Sequence, residues 1–271
     1  EGSERLMLRA LLTGGLIYSL PMLVEVRLSP QINVWVYGYF AHDFGQMMRY
    51  GGYRPMVFMA HGLWVALFTF SALIAAAALA RAQRFDIRAL AVVAWMGLML
   101  VICKSMAPII YALAVVPLVL LATPRMMLAV AAVLAGVVLA FPLLRLSGLV
   151  PVEALIAAAS AIDPERAASL AFRLRNEDLL LARAAEKLWT GWGGFGRNLI
   201  VDPQSGEYLT ISDGAWIITM GVQGLPGYLI EFGLYTLPVF AAWRTRAARA
   251  EPLLATLAPA NAQSTSAQPI N

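Results

Sequence analysis

The chain has 271 residues, of which 60% are hydrophobic and only 13% are charged, and its mean hydropathy is +0.71. Soluble domains carry about a quarter charged residues, so this composition excludes a soluble enzyme, a disordered regulator and a nucleic-acid binder with a charged surface. The formal net charge of +4 therefore raises the question of which side of a bilayer the basic residues occupy. The single cysteine, Cys103, excludes a disulfide framework and a thiolate metal cluster.

Six apolar runs predict an all-α polytopic membrane protein, because a helix of roughly 20 mainly apolar residues crosses a bilayer. The third and fourth runs are short and meet at Lys104-Ser105-Met106, which predicts a tight helical hairpin. The predicted spans are Leu8–Val26, Met56–Ala80, Ala89–Cys103, Ala107–Ala122, Met126–Leu144 and Ala215–Trp243.

Basic residues in short connections predict the orientation, since Lys and Arg are retained on the cytoplasmic side. One alternating path places all of the following on that side: Arg5, Arg9, Arg81, Arg84, Arg88, Arg125, Arg244, Arg246 and Arg249. The path divides the chain into five spans at 1–145, an extracytoplasmic loop domain at 146–213, a last span at 214–243, and a cytoplasmic basic segment with a disordered tail at 244–271.

The long loop has local structure of its own. Asp163-Pro164-Glu165 predicts a helix start with Asp163 as N-cap, and the helix is expected to run to Trp189. The glycine-rich turn at 190–198 lets the backbone turn sharply and approach a ligand closely. No strand precedes this turn, which argues against a dinucleotide-binding fingerprint. Asp202–Gly206 predicts the tip of a short hairpin.

Arginines are the residues on which chemistry would depend, because the sequence has no metal-ligand motif and no Gly-x-Ser-x-Gly nucleophile elbow. Arg54, Arg173 and Arg175 could each be solvated surface residues, but together they favour phosphate oxygens clasped by guanidinium groups. Lys104 is either a lysine that reaches the membrane interface or a cation placed for a lipid-linked phosphate. Asp213 is either the N-cap of the last helix or a general base.

His61 and Glu231 lie within predicted spans. An ionisable group inside a membrane is a functional candidate, because leaving it unpaired in lipid is costly. The structural alternatives are a histidine bonded to a neighbouring helix, and an acid satisfied by Tyr235 and the nearby glycines.

The order of motifs resembles the O-antigen ligase and O-antigen polymerase family of bacterial envelope glycosyltransferases. In that family an arginine opens the loop helix, a P-x-x-G-x-G turn follows it, and a His-Asn pair precedes a span with G-x-x-G. The corresponding segments here are Lys104-Ser105, Arg173-Leu-Arg-Asn-Glu177, Gly191-Trp-Gly-Gly-Phe-Gly196, Asp213-Gly-Ala-Trp and Gly221-Val-Gln-Gly-Leu-Pro-Gly227. Gly52-Tyr-Arg54-Pro is similar to part of the family's R-x-x-G-x-F-x-x-P-N segment.

The resemblance extends from about Gly51 to Phe240, with two departures from the family pattern. Ser212-Asp213 stands where the family has His-Asn, so either Asp213 takes over a base role or the acceptor is changed. Lys104-Ser105 matches the position where the family usually has Ser-Arg. Family members also have more spans than this chain, which begins at Glu1 rather than at Met. We therefore expect a divergent member, or one that lacks an N-terminal half.

The resemblance implies a protein of the bacterial inner membrane that transfers a glycan from an undecaprenyl-diphosphate carrier to an acceptor glycan or lipid. It implies no metal, no nucleotide and no other cofactor, and both ligation and polymerisation fit it. The expected diphosphate ligands are Arg54, Lys104 and Arg173. The expected catalytic residues are Arg173, Arg175, Asp213 and Glu177, with arginines stabilising the leaving oxygen and a carboxylate accepting the proton of the acceptor.

Three aromatic residues are expected to contact the sugar or the lipid, namely Trp192, Phe195 and Trp216, and the alternative is that they anchor the loop at the membrane interface. Two other classes of function stay open. One is a transporter or flippase for lipid-linked glycans, which would often show two related halves. The other is a non-catalytic membrane subunit of a polysaccharide export complex.

Overall fold

The computed structural model describes residues 2–40, 43–49, 51–162 and 164–245, and these are mostly helical with little sheet. The predicted all-α class is therefore confirmed. The described residues divide into two units, of which unit 1 extends to Met127 and unit 2 begins at Leu128. The predicted disordered tail falls outside the described residues.

Unit 1 is built around one central helix. Its elements are α1 (Ser3–Leu28), α2 (Ile32–Tyr37), a 3₁₀ helix (Phe44–Met47), β1 (Met48–Arg49), β2 (Gly52–Tyr53), α3 (Gly62–Ala82), α4 (Ile87–Ile102), α5 (Met106–Leu121) and the first residues of α6 (Pro124–Leu146). The two short strands pair antiparallel. α3 packs against α1, α4 and α5, and its small side chains let these helices approach closely. Its buried alanines are Ala66, Ala72, Ala75, Ala76, Ala77, Ala78 and Ala80.

Unit 2 contains the rest of α6, then α7 (Val152–Ile162), α8 (Pro164–Ala185) and α9 (Ala215–Thr245). α8 packs against both α7 and α9. The sequence predicted one loop helix from Asp163 to Trp189, and the structure corrects this in two ways. A second helix, α7, precedes α8, and α8 ends at Ala185. The predicted N-cap, Asp163, lies outside the described residues. The predicted hairpin tip is confirmed by the antiparallel bridge between Val201 and Tyr208.

Four helices in the described part of the chain are long and apolar enough to cross a membrane: α1, α3, α6 and, within α9, Ala215–Arg244. α4 and α5 form the predicted hairpin, but each has 16 residues. At 1.5 Å per residue this is about 24 Å, less than the ~30 Å hydrocarbon core. The long-helix count is therefore four, against the six predicted spans.

The predicted second span begins later than expected. His61 is the N-cap of α3, and its Nδ1 accepts a hydrogen bond from the backbone N–H of Leu63 at 2.9 Å. Helix formation therefore starts at Gly62 rather than Met56. His61 caps the helix from outside and is not a residue of the span.

The last predicted span is broken at Gly224. This residue has φ 71° inside α9, and Pro226 follows it without a backbone donor. The Thr219 hydroxyl donates to Glu231 Oε2 at 3.1 Å across 12 residues of sequence. A straight helix would separate these residues by about 18 Å. α9 is therefore two helical segments that bend sharply at Gly224, and Glu231 has its partner across the bend.

Several basic residues of unit 1 gather at one end of it. Arg5 and Arg9 of α1 and Arg84 after α3 line one cavity of ≈ 440 Å³. Arg81 of α3 donates to the carbonyls of Val119 and Ala122 at the end of α5, at 2.8 and 2.6 Å. The N-terminal end of α1 thus lies beside the C-terminal end of α3, and the C-terminal end of α5 meets Arg81 of α3.

Candidate functional site

The predicted site residues fall into two groups, one in each unit. Arg54 and Lys104 belong to unit 1. Unit 2 holds Arg173, Arg175, Glu177, Asp213 and the three aromatic residues Trp192, Phe195 and Trp216.

In unit 1, the segment ahead of α3 is held by an acid that the sequence analysis did not identify. Glu25, at the end of α1, is fully buried, and its carboxylate accepts backbone N–H groups from Ile32, Met56 and Val57 at 3.1, 2.8 and 2.7 Å. Val57 has φ 54°, an uncommon conformation for a β-branched residue. We call residues 54–59 the Glu25 loop. Three donors converge on one carboxylate and hold this strained turn in place.

Two polar side chains complete the hydrogen bonding of the Glu25 loop. Asn33 is buried, and its Nδ2 lies 3.4 Å from the carbonyl oxygens of both Val57 and Met59. The hydroxyl of Tyr18 accepts the N–H of Phe58 at 3.0 Å. Buried backbone groups need such partners, so the conformation of this loop is fixed along its length.

Arg54 and the tip of the α4–α5 hairpin meet in unit 1. Arg54 is only 2% exposed, and its Nη2 donates to Ser105 Oγ at 2.6 Å. Lys104 has φ 51°, and its Nζ donates to the carbonyl of Arg49 at 2.9 Å. The two predicted cations are thus brought together. Burial makes Arg54 a support for the hairpin tip rather than a group that faces a ligand, while Lys104 is only partly buried.

In unit 2, three of the four predicted catalytic residues line one small cavity, which we call the loop cavity. It has a volume of ≈ 210 Å³, and its walls include Arg173, Glu177 and Asp213. Asn176 holds two sides of the cavity together, because its Nδ2 donates to the Phe172 carbonyl at 2.9 Å and its Oδ1 accepts the N–H of Ile211 at 3.0 Å. The loop helix and the segment before α9 therefore converge, which the sequence could only suggest.

The cation of the loop cavity is weakly held. Arg173 Nε lies 3.4 Å from Asp213 Oδ2, and these side chains are 61% and 52% exposed. An exposed ion pair contributes about 0–1 kcal/mol. Asp213 is not the N-cap of α9, since the first carbonyl of the helix, that of Gly214, accepts from Ile218 at 3.1 Å. A more highly charged anion would therefore compete effectively with Asp213 for Arg173.

The second carboxylate, Glu177, lies in a drier environment. Burial raises the pKa of Glu177 above its ordinary 4.5, while a hydrogen bond from Trp216 and the charge of Arg145 act in the opposite direction. The indole Nε1 of Trp216 donates to Glu177 Oε1 at 3.3 Å. The arrangement gives a carboxylate that is fixed in direction and binds a proton more readily than an exposed glutamate.

Arg145 is the functional neighbour that sequence reasoning missed. It lies in the last turn of α6, its side chain is 4% exposed, and its Nη2 donates to Asp178 Oδ1 at 2.7 Å. The same Nη2 lies 4.0 Å from Glu177 Oε2. The only signal in the sequence was the adjacent acid pair Glu177-Asp178, which requires a cation if it is buried.

Arg175 does not join the loop cavity. It is exposed on α8, and two residues along a helix correspond to a rotation of about 200°. Arg173 and Arg175 therefore point to different faces of the helix. Of these two arginines, only Arg173 lines the loop cavity.

The three predicted aromatic contacts have different surroundings. Trp216 packs edge-on against Phe141 at 5.0 Å and belongs to a core cluster with α8. Arg183 and Lys187 lie 3.3 and 4.2 Å from the ring centre of Trp192. Phe195 alone is open, with 99% of its surface exposed.

The glycine-rich turn approaches the backbone of α9. Trp192 and Gly193 donate to the carbonyls of Gly221 and Val222 at 2.8 and 2.9 Å, and Leu225 donates to that of Leu188 at 2.7 Å. Gly191 has φ 65°, and a Cβ on Gly224 would lie 2.9 Å from the Gly191 nitrogen and 2.8 Å from the Leu188 oxygen. We call this contact the glycine interlock. The predicted close approach exists, and its partner is the break in α9.

Within the described ranges, no group of three or more His, Cys, Asp or Glu side chains is placed to hold a metal ion. No protein-family model matches the chain, and neither a curated protein nor a solved structure is significantly similar to it.

Proposed function

We propose that this chain is a membrane glycosyltransferase of the O-antigen ligase and polymerase type. It would transfer a glycan from undecaprenyl diphosphate to an acceptor glycan or lipid, without metal or nucleotide. The observation that carries the proposal is the loop cavity, where Arg173 and two carboxylates converge beside the start of α9. The resemblance of the motifs in the same segments supplies the substrate class.

Arg173 is the proposed diphosphate ligand. Its present partner, Asp213, is half-exposed and bound at 3.4 Å, so a diphosphate can take its place by offering two oxygens to the guanidinium group. Negative charge grows on the bridging oxygen as the bond from the sugar to the diphosphate breaks. A guanidinium that is already in position stabilises this growth.

Glu177 is the proposed general base. Its raised pKa makes it a better proton acceptor than an exposed carboxylate. In the reaction the acceptor hydroxyl gives its proton to Glu177 as its oxygen bonds to the anomeric carbon. The bond from that carbon to the diphosphate breaks, and undecaprenyl diphosphate leaves with the electron pair. Arg145 and Trp216 hold the carboxylate for this step, and no step depends on unit 1.

The membrane path that we propose keeps the long loop outside the cytoplasm of a bacterial inner membrane. The basic ends of unit 1 then lie on the cytoplasmic side, and the short α4–α5 hairpin crosses as two of six spans. The last crossing is made by residues 225–245 of α9, which give about 31 Å of helix after the break. Residues before the break pack on α8 in the loop region, as the core cluster of Ile217 and Met220 indicates.

The decisive experiment measures glycan transfer by the detergent-purified chain, with an undecaprenyl-diphosphate-linked glycan and an acceptor. We expect Arg173→Ala to lower the rate by about 10²–10³-fold, the loss typical when one such charge-stabilising donor is removed. Arg197→Ala is the matched control, because it removes an exposed arginine of the same unit that does not line the loop cavity. Transfer at the wild-type rate by Arg173→Ala would overturn the proposal.

The two other classes of function give different results in the same preparation. A flippase would move the labelled lipid-linked glycan across a proteoliposome membrane without forming a glycosidic bond, and a non-catalytic subunit would do neither. Nothing in the described structure favours a transport path. Glu231 is hydrogen-bonded to Thr219, Lys104 is bonded to a backbone carbonyl, and His61 caps a helix.

A further inference from the structure

The cavity at the basic end of unit 1 takes no part in the proposed transfer reaction. It has a volume of ≈ 440 Å³ and is lined by α1, the end of α3 and the turn that follows. Its charged lining residues are Arg5, Arg9, Arg84 and Asp86, so three arginines and one aspartate line it. We call it the basic cavity. Its surplus of positive charge selects an anionic ligand.

The position of the basic cavity along the helices indicates which anion it meets. α3 has 21 residues, or about 31 Å, which matches the hydrocarbon thickness of a bilayer. Arg84 follows the end of α3 by two residues, and Arg5 lies in the first turn of α1. These guanidinium groups are therefore at headgroup depth. Leu79 and Ala82 add apolar surface to the same cavity.

We propose that the basic cavity binds the phosphate headgroup of an anionic phospholipid such as phosphatidylglycerol. Guanidinium groups bind phosphate oxygens through paired hydrogen bonds, and basic pockets between transmembrane helices suit anionic headgroups. The volume is within the range of small-ligand sites. Lipid binding at the basic cavity is independent of the transferase reaction, because the basic cavity and the loop cavity share no lining residue.

The backbone around Arg84 provides an unusually clean test. Arg84 and Phe85 both have left-handed conformations, with φ 55° and 62°. Glycine adopts such angles without strain, so Arg84→Gly and Phe85→Gly should each relieve strain and leave the fold intact. Only the first substitution removes a guanidinium group from the cavity, and Phe85 does not line it.

The experiment compares phosphatidylglycerol with phosphatidylcholine on the purified full chain, with lipid retention measured by native mass spectrometry. The wild-type chain and Phe85→Gly should retain phosphatidylglycerol preferentially. Arg84→Gly should lose affinity for it by about fivefold, the effect of one arginine near anionic lipid. Arg5→Gln should produce a similar loss.

Three outcomes would overturn the assignment. The first is equal retention of both lipids by the wild-type chain. The second is unchanged retention of phosphatidylglycerol by Arg84→Gly, or an equal loss in Phe85→Gly. The third comes from an arm with inorganic phosphate alone. If inorganic phosphate displaces the bound lipid at the same concentration as added phosphatidylglycerol does, the glycerol and the acyl chains add no affinity, and the cavity is a site for free phosphate rather than for a lipid.

Discussion

The Glu25 loop of unit 1 and the glycine interlock of unit 2 fix irregular backbone by different physical means. The first uses a buried carboxylate that accepts three backbone N–H groups. The second uses backbone-to-backbone hydrogen bonds that form only because Gly191 and Gly224 have no side chain. The first anchor therefore depends on the chemistry of one side chain, and the second depends on the absence of any Cβ.

The arginines of the two units differ in burial and in how firmly they are paired. Arg54, the first residue of the Glu25 loop, is buried and donates to Ser105, whereas Arg173 in the unit with the interlock is largely exposed and weakly paired. An arginine that is buried and bonded stabilises a fold, and one that is exposed beside a cavity can exchange its partner for a ligand. This difference is why we assign the chemistry to unit 2.

The largest effect should come from removing the carboxylate anchor with Glu25→Leu. The buried N–H groups of Met56 and Val57 and the partly buried N–H of Ile32 would lose their acceptor. Each such loss costs about 1–3 kcal/mol, so we expect the free energy of unfolding to fall by roughly 3 kcal/mol or more. Thermal unfolding in detergent measures it. Glu25→Gln keeps one acceptor oxygen, so its free energy of unfolding should fall less than that of Glu25→Leu. If Glu25→Leu were as stable as the wild-type chain, the carboxylate would not be needed to hold the loop.

The glycine interlock should be the next most sensitive feature. Gly224→Ala places a Cβ against the backbone of Leu188 and Gly191, and Gly206→Ala is its control, because Gly206 also has positive φ (74°) but open space around it. The control should lose about 1 kcal/mol from its positive φ alone. Gly224→Ala should lose roughly 2–3 kcal/mol, because the close contact adds to the cost of φ 71° with ψ −176°, a backbone conformation that essentially only glycine adopts. Equal losses in thermal unfolding would mean that the close approach does not contribute.

The fold was predictable where it depends on periodicity and length. Apolar runs predicted the long helices and the α4–α5 hairpin, and Asp202–Gly206 predicted the bridge of Val201 with Tyr208. The break at Gly224 was not predicted, because a glycine and a proline in an apolar run also occur in continuous membrane helices. What ends the helix there is the backbone of a segment about thirty residues earlier in the chain.

The sequence predicted which residue types form the candidate site, but only some of the individual residues that line it. Arg173, Glu177 and Asp213 do converge, but helical geometry separates Arg175 from them. The supporting residues Glu25 and Arg145 were not predicted, since each lies in the last turns of an apolar helix, where charged residues usually reach water. Their roles depend on which distant backbone or acid packs against them, and this is tertiary information.

A smaller effect should follow from Arg145→Met, which removes a buried cation that lies near Glu177 of the loop cavity. Its bond to Asp178 is 2.7 Å and the arginine side chain is 4% exposed, whereas the Arg183–Glu186 bond is 2.8 Å with 29% exposure of the arginine side chain. Arg183→Met is the comparison variant, because it breaks a bond of similar length that is more exposed and local in sequence, although it also removes the contact of Arg183 with the Trp192 ring. We expect a loss of about 2 kcal/mol for Arg145→Met and less than ~1 kcal/mol for Arg183→Met in thermal unfolding. Equal losses would contradict a special role for the buried pair.

The smallest effect on stability, and the most informative about function, should come from Glu177→Gln. Burial raises the pKa of Glu177 above 4.5 in the folded state, so the folded chain holds a proton that the unfolded chain has released. The free energy of unfolding should therefore fall as the pH rises from 4.5 through the raised pKa. Glu177→Gln removes this dependence while its amide oxygen still accepts from Trp216. It should lower glycan transfer by about 10²-fold, as expected when a general base is lost.

Asp202→Asn should have the opposite effect on the pH dependence of the free energy of unfolding. The backbone N–H of Gln204 lowers the pKa of Asp202 below its ordinary 3.8. Asp202 therefore contributes stability that is present above that pH and is lost as the pH falls through its lowered pKa. Removing it should change the acid side of the stability curve and leave transfer unaltered. Should Glu177→Gln keep the pH dependence of the wild-type chain and its transfer rate, Glu177 would be a structural acid like Glu25, and the contrast between the two units would disappear.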